Sequence, residues 1–231
     1  AVEAASTLAN VPGTPPLPAG EVTGAVTLSE AEAKLALAAH GMPVPQSKRL
    51  TSPDALEEQL ESFTFPLVLK AEGLAHKSDS GGVALGLADA DEVLSAAQKM
   101  GGESWLVEEM ETAGVVELLL GVTRDPAHGL LLTLGAGGVL TEVLQDSATL
   151  LMPVTAGEVD AALNCLKCAP LVAGYRGKPA ADRKAIIRAA LALQDYVIAH
   201  LDEIEEVEVN PLICTPEGAV AVDALIRKTM P

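Results

Sequence analysis

The segment KAEGLAHKSDSGG, residues 70–82, holds the densest group of reactive side chains in this sequence. It follows an apolar run, Phe65-Pro66-Leu67-Val68-Leu69, that reads as a buried strand. Lys70 ends the strand, His76 and Lys77 come next, and Ser80, Gly81 and Gly82 close the segment. These residue types suit a polyphosphate. Lysine supplies a point charge, and glycine lets main-chain N–H groups approach an anion with no side chain in the way. A neutral imidazole, with an ordinary pKa of about 6.5, is also a nucleophile at neutral pH. The string is not a P-loop, because GxxxxGK[ST] is absent.

A second constellation lies near the end, in EEVEVNPLICTPEGAVAVDAL. Residues i and i+2 of a strand share a face, so Glu208 and Asn210 point the same way. Asp223 is expected on the returning strand, beside them. Two carboxylates and an amide oxygen form a hard oxygen set suited to Mg2+. The plain alternative is a solvated hairpin. Against it, Asn210 precedes a proline, and Asp223 interrupts an apolar run where a buried acid needs a partner. A third group is Glu108 and Met110 at the end of one strand and Glu117 inside the apolar run VVELLLGV. Carboxylates and main-chain groups at such a hinge can accept hydrogen bonds from a ribose or an adenine amine.

The elements that must position these residues alternate irregularly. Ser29 and Glu32 form a capping box before a helix that Gly41 ends. Strands are expected over 44–50, 67–71, 82–87, 104–109, 115–123 and 130–134, and helices from Ser52-Pro53 onward and over 89–100, 155–166 and 181–201. Gly135-Ala136-Gly137-Gly138 is a second glycine-rich turn, and Thr215-Pro216-Glu217-Gly218 separates the two terminal strands. This order predicts an α+β fold rather than a doubly wound sheet. Residues 1–27, rich in Pro, Gly, Thr and Ala, read as a linker, as in a piece cut from a longer chain.

Of 231 residues, 49% are hydrophobic but only 2% aromatic, so the core must be built from Ala, Val and Leu. A net charge of −17 opposes binding to nucleic acid or anionic membranes. Any phosphate must then be held by local lysines, amides and a metal ion. No apolar run is long enough for a membrane span, and no signal peptide is visible. Three cysteines, an odd number, point to a reducing compartment and hence to the cytoplasm. The lone pair Cys165-x-x-Cys168 lacks a second pair of ligands and reads as structural.

Taken together and in order, the strings KAEGLAHKSDSGGV, VEEM…VVELLLGVTRDPAHG, LGAGGVLTEVLQDSATLLMP, LVAGYRGKPAAD and EVEVNPLICTPEGAVAVDAL resemble the ATP-grasp domain of NDP-forming acyl-CoA synthetases, relatives of succinyl-CoA synthetase β. The resemblance runs from about Ser29 to Ile226. It implies an ATP-grasp fold of two α/β lobes with ATP or ADP between them, the first over 28–107 and the second over 108–231. It implies that Lys70, Lys77, Ser80, Gly81 and Gly82 serve the phosphates, that Glu108 and Met110 lie at the adenine hinge, and that Glu117 holds the ribose. Glu208, Asn210 and Asp223 resemble the Mg2+ ligands. His76 resembles the second phosphohistidine of ADP-forming acetyl-CoA synthetases, which succinyl-CoA synthetases lack. The implied reaction joins a carboxylic acid to CoA and converts ATP to ADP and phosphate, with a CoA-binding domain or subunit as partner. One departure is SATLLMP after Asp146, where the family often has an arginine near Leu150. The charge partner of Asp146 is then open, with Arg124 and Arg176 the nearby basic residues.

Two rival readings belong to other classes. A carboxylate–amine ligase of the ATP-grasp type gives His76 no role, so a phosphorylated His76 excludes it. A nucleotide-binding regulatory region of a protein lysine acetyltransferase would bind nucleotide without phosphoryl transfer.

Overall fold

A computed structural model describes residues 24–51, 59–72, 81–138 and 141–229. Its elements in chain order are β1 (Val26–Thr27), α1 (Glu30–Ala38), β2 (Ser47–Leu50), β3 (Leu67–Ala71), β4 (Val83–Leu87), α2 (Ala90–Met100), β5 (Trp105–Glu109), β6 (Val116–Asp125), β7 (Gly129–Ala136), α3 (Thr141–Leu144), β8 (Ser147–Leu151), α4 (Ala156–Cys165), α5 (Ala169–Val172), α6 (Arg183–Ala199), β9 (Ile204–Cys214), β10 (Ala219–Ala221) and β11 (Ala224–Lys228). Among the described residues no helix is long and apolar enough to cross a membrane.

The chain divides into two compact units. The smaller, Pro45–Thr112, holds an antiparallel sheet in the order β2-β5-β3-β4, with α2 packed on β3. Its core joins Leu50, Leu67, Leu69, Val93, Ala97, Trp105 and Val107. Asp89 caps α2 by accepting the N–H of Glu92 at 2.9 Å, and Gly101 follows the helix, as the sequence predicts.

The larger unit holds an antiparallel sheet in the order β1-β11-β9-β6-β7-β8, with β10 also paired to β9. One face is strictly apolar: Val116, Leu118, Leu120 and Val122 of β6 alternate inward to meet Leu130, Leu132 and Leu134 of β7, and Val207 and Val209 of β9. Ala185, Ala189, Ala190 and Ala192 of α6 are buried in the same core. Small side chains there bring the helix close and fill the space that a more aromatic chain would give to rings. Capping boxes start α1 at Ser29–Glu32 and α4 at Thr155–Glu158, and Asp182 caps α6.

Three expectations change. Residues 26 and 27, assigned to the linker, pair with Arg227 and Lys228 of β11; the linker reading of 1–23 lies outside the described residues. Helix α1, assigned to the first lobe by the 28–107 boundary, buries Ala33 and Leu37 in the core of the larger unit. Its apolar stripe fits the β11 side of the larger sheet, so the chain crosses between the units twice, near residue 44 and near residue 112. Finally, the segment after Asp146 forms an edge strand, β8, and residues 169–172 form a short helix, both absent from the expected element order.

Candidate functional site

In the larger unit the candidate residues gather on the sheet face opposite the helical core. Glu117 is exposed between buried Val116 and Leu118, which explains an acid inside an apolar run: the strand alternates, and this residue faces away from the core. On β9, Glu208 pairs with Gly121 of β6 and Leu225 of β11 in the ladder. The β6–β9 register then shifts: Leu120 faces Val209, but Leu118 faces Leu212. Asn210 and Pro211 together stand opposite the single residue Leu119, one residue in excess, and form a bulge. A proline inside the ladder is tolerated there, and the bulge re-aims Asn210.

Asn210 is the centre of the group. Its Oδ1 accepts the main-chain N–H of Gly138 at 2.9 Å, and its side chain lies beside Glu208, whose carboxyl it influences. Its own N–H donates to the carbonyl of Asp223 at 3.3 Å. Gly138 has φ +61, and a Cβ on it would collide with the carboxylate of Glu117. Glycine is therefore favoured by the left-handed backbone conformation, and any larger residue would also have to displace the Glu117 side chain. Gly137 donates its N–H to the carbonyl of Glu117 at 2.9 Å. Glu117, Gly138, Asn210 and Glu208 thus form one contiguous chain of contacts, with the main chain of Asp223 joined to it. The glycine turn GAGG is visible in the sequence, but its contact with Asn210 is not, because 72 residues separate the pair.

Asp223 corrects one expectation. It is not a buried acid within a strand; it is exposed, in the break between β10 and β11. Burial pushes the Glu208 carboxyl above its ordinary value of 4.5; the Asn210 side chain beside it pulls it down, and the charge of Glu206 adds to the rise. A half-desolvated carboxylate, an amide oxygen and an exposed carboxylate fit a hard cation that keeps some water and takes other oxygens from phosphates. Among the described residues no group of three His, Cys, Asp or Glu side chains is placed to hold a metal.

In the smaller unit Lys70 is 7% exposed and its Nζ lies 2.9 Å from Oε2 of Glu108, itself 2% exposed. Register places Val68 opposite Glu108 and Lys70 opposite Leu106, so the two charged side chains share a face of the sheet, diagonally across strands β3 and β5. The carboxylate of Glu108, a residue placed at the adenine hinge by the resemblance, pairs with Lys70, and its main chain lies in the ladder between β2 and β3. Met110 lies just past β5 and donates its N–H to the carbonyl of Pro66 at 3.0 Å. Arg49 and Glu72 form a further ion pair at 2.6 Å. Gly81 has φ +73, and the carbonyl of Gly82 accepts the N–H of Ala71 at 2.8 Å. His76, Lys77 and Ser80 lie outside the described residues.

The question left by Asp146 has a clear answer. Its two carboxylate oxygens accept the main-chain N–H groups of Lys167 at 2.7 Å and Cys168 at 2.8 Å. Burial raises its pKa, but these two amides, the Cys168 thiol and the charge of Lys167 together hold it below the ordinary 3.8. Arg124 instead donates to the carbonyl of Ile204 at 2.8 Å, and Arg176 stacks over Tyr175 at 5.3 Å. No arginine is needed where main-chain amides neutralise the acid.

Comparison with known proteins identifies the family. Residues 21–227 match the family described as "ATP-grasp domain". The chain is 30% identical over 217 residues to the beta subunit of an ADP-forming acetate–CoA ligase II of Pyrococcus furiosus, covering 88% of this chain and 92% of that one. It is 34% identical over 212 residues to a trans-feruloyl-CoA synthase of an unknown prokaryotic organism, covering 85% of this chain and 30% of that protein. Among solved structures, it matches the dinucleotide-forming acetyl-coenzyme A synthetase 1 of Ca. Korarchaeum cryptofilum, in complex with coenzyme A and Ca-AMPCP. The TM-score is 0.81 at 31% identity, over 88% of this chain and 93% of that one. A further structure of that enzyme holds Mg-AMPPCP, with a phosphohistidine segment pointing towards the nucleotide-binding site.

Proposed function

We propose that this chain, which belongs to the ATP-grasp domains of the ADP-forming acyl-CoA synthetases, binds a magnesium–adenine nucleotide and passes its terminal phosphoryl group to and from a histidine. The overall reaction we assign is carboxylic acid, CoA and ATP to acyl-CoA, ADP and phosphate, reversibly, completed by a CoA-binding domain or subunit. The observation that carries the reading is the connected set Glu117, Gly138, Asn210 and Glu208 on the open face of the larger sheet.

Each residue has a definite task. Glu117 accepts hydrogen bonds from ribose hydroxyls, and Met110 contacts the adenine. Lys70, Lys77, Ser80, Gly81 and Gly82 bind phosphate oxygens. Glu108 holds the Lys70 ammonium in place within hydrogen-bond distance. Glu208, Asn210 and Asp223 hold Mg2+, which when bound neutralises phosphate oxygens during transfer. His76 attacks the terminal phosphorus; an N–P bond forms, the bond to the bridging oxygen breaks, and ADP leaves with that electron pair. The reverse step regenerates ATP. Three cysteines outside any disulfide are compatible with a cytoplasmic setting.

Calorimetric titration with MgADP tests the assignment. The wild-type chain is expected to bind, and Asn210→Ala to bind more weakly because a cation ligand and the tie to Gly138 are both lost. A chain that binds no adenine nucleotide, or an Asn210→Ala variant equal to wild type, rejects this site.

A further inference from the structure

Helix α1 carries a lysine that ordinary helix packing does not explain. Lys34 is 2% exposed, on the face that also buries Ala33 and Leu37. An apolar residue would serve packing at such a position without the cost of desolvating an ammonium. The sequence instead provides the charge and a partner for it: Glu30, one turn earlier and 9% exposed, whose carboxylate lies 2.8 Å from the ammonium. The ammonium also donates to the main-chain carbonyl of Val222 at 3.3 Å, 188 residues away. Val222 immediately precedes Asp223.

The main chain around this carbonyl is tied on several sides. Ala221 donates to the carbonyl of Pro43 at 2.8 Å, and Val222 to that of Pro211 at 3.2 Å. The carbonyl of Asp223 accepts the N–H of Asn210 at 3.3 Å. Pro43 follows α1, so the connection after this helix holds Ala221 and the helix itself holds Val222. Asp223 is exposed and lies outside the regular ladder, in the break between β10 and β11. The main chain that carries its carboxylate is therefore held on several sides.

We propose that Lys34, held by Glu30, is a positioning residue for the metal site: it fixes the Val222 carbonyl and so aims the Asp223 carboxylate at the cation. The inference rests on the reading of Asp223 as a metal ligand. It gives α1 a role beyond packing, since the helix belongs to the larger unit and touches the strand break that carries a ligand. Outer partners that orient a ligand typically change metal affinity by about 10-fold or more when removed.

The test uses the full chain and the double variant E30Q/K34M, which removes both charges so that neither is left buried without its partner. ADP binding is measured by calorimetry with Mg2+ and with EDTA, beside thermal unfolding. We expect Mg2+-dependent binding to weaken about 10-fold while binding in EDTA is unchanged. In a D223A background the same double change should add no further loss. Loss of thermal stability with unaltered Mg2+ dependence would reduce Lys34 to a structural ion pair and overturn the proposal. An equal loss in the D223A background would also overturn it, since the effect would not run through Asp223. If D223A itself leaves Mg2+ dependence intact, the metal reading fails and this inference with it. Should E30Q/K34M not fold, Lys34→Arg retains the charge but presents a planar fork in place of a compact ammonium. The same measurements then apply, with the same loss expected and an unchanged Mg2+ dependence overturning the proposal.

Discussion

The side-chain oxygen of Asn210 accepts the main-chain N–H of Gly138 at 2.9 Å, and Glu117 lies against that same glycine. One contact thus links strand β9 to the turn after β7. Gly138→Ala is expected to break it. The new Cβ meets the Glu117 carboxylate, and the left-handed backbone is strained for alanine, at a cost of about 1–3 kcal/mol. Thermal unfolding should show that loss, and calorimetry should show weaker MgADP binding. Normal affinity in a destabilised variant would separate the turn from the nucleotide site.

The Lys70–Glu108 pair is buried on both sides, so removing one partner strands the other. Lys70→Met should cost about 3–5 kcal/mol of stability and lower affinity for ATP more than for adenosine. The double variant Lys70→Met with Glu108→Leu should recover stability without recovering ATP affinity. If affinity returns with stability, Lys70 serves the fold and not the phosphates.

Asp146 gives a pH dependence with a definite sign. Its carboxyl is held below the ordinary value of 3.8, so its stabilising bonds to Lys167 and Cys168 are fully present above the unfolded-state pKa. They are lost as pH falls through the lower, folded-state value. Asp146→Asn should therefore be less stable than wild type at pH 7, by about 1–3 kcal/mol, and the gap should shrink in acid. Chemical denaturation at pH 7 and near pH 3 checks this, and a gap that widens in acid contradicts it.

The thiols should divide by burial. Burial, with the Asp146 carboxylate adding to it, pushes Cys168 up to about 12. Burial, with a smaller contribution from Cys168, pushes Cys214 to about 12 as well. Cys165 is exposed. A disulfide reagent at pH 8 should label a single thiol in the native chain, and Cys165→Ser should abolish the labelling. Fast reaction of two thiols would show that the CxxC pair opens to solvent.

His76→Asn in the complete enzyme should leave MgADP binding near normal, because asparagine still offers a donor. It should abolish phosphoryl exchange with ADP, because an amide is not a nucleophile. Phosphorylation of the partner domain from acyl-CoA and phosphate should persist. Substantial ATP synthesis by the variant would make His76 a binding residue only.

Much of this was readable from local order. Alternation within VVELLLGV, the caps at Ser29 and Asp89, and the Thr215–Gly218 turn all depend on residues a few positions apart, and each element appears where the pattern predicts. The glycine turn at 137–138 and the acid at 117 were likewise visible as separate signals. What joined them was tertiary. Asn210 finds Gly138 only after β9 enters the sheet beside β6, Lys34 finds Val222 across nearly the whole chain, and Asp146 satisfies its charge on amides that α4 and α5 deliver. The assignment of α1 to the larger unit was decided in the same way, by which sheet could bury Ala33 and Leu37. Sequence by itself determines which face of an element is apolar and where the element stops, because those are short-range effects of side-chain spacing and backbone hydrogen bonding. It does not determine which distant carbonyl a buried ammonium will reach or which glycine an amide will meet, because those partners are set by sheet order and by a two-residue bulge whose energetics involve strands far apart in the chain.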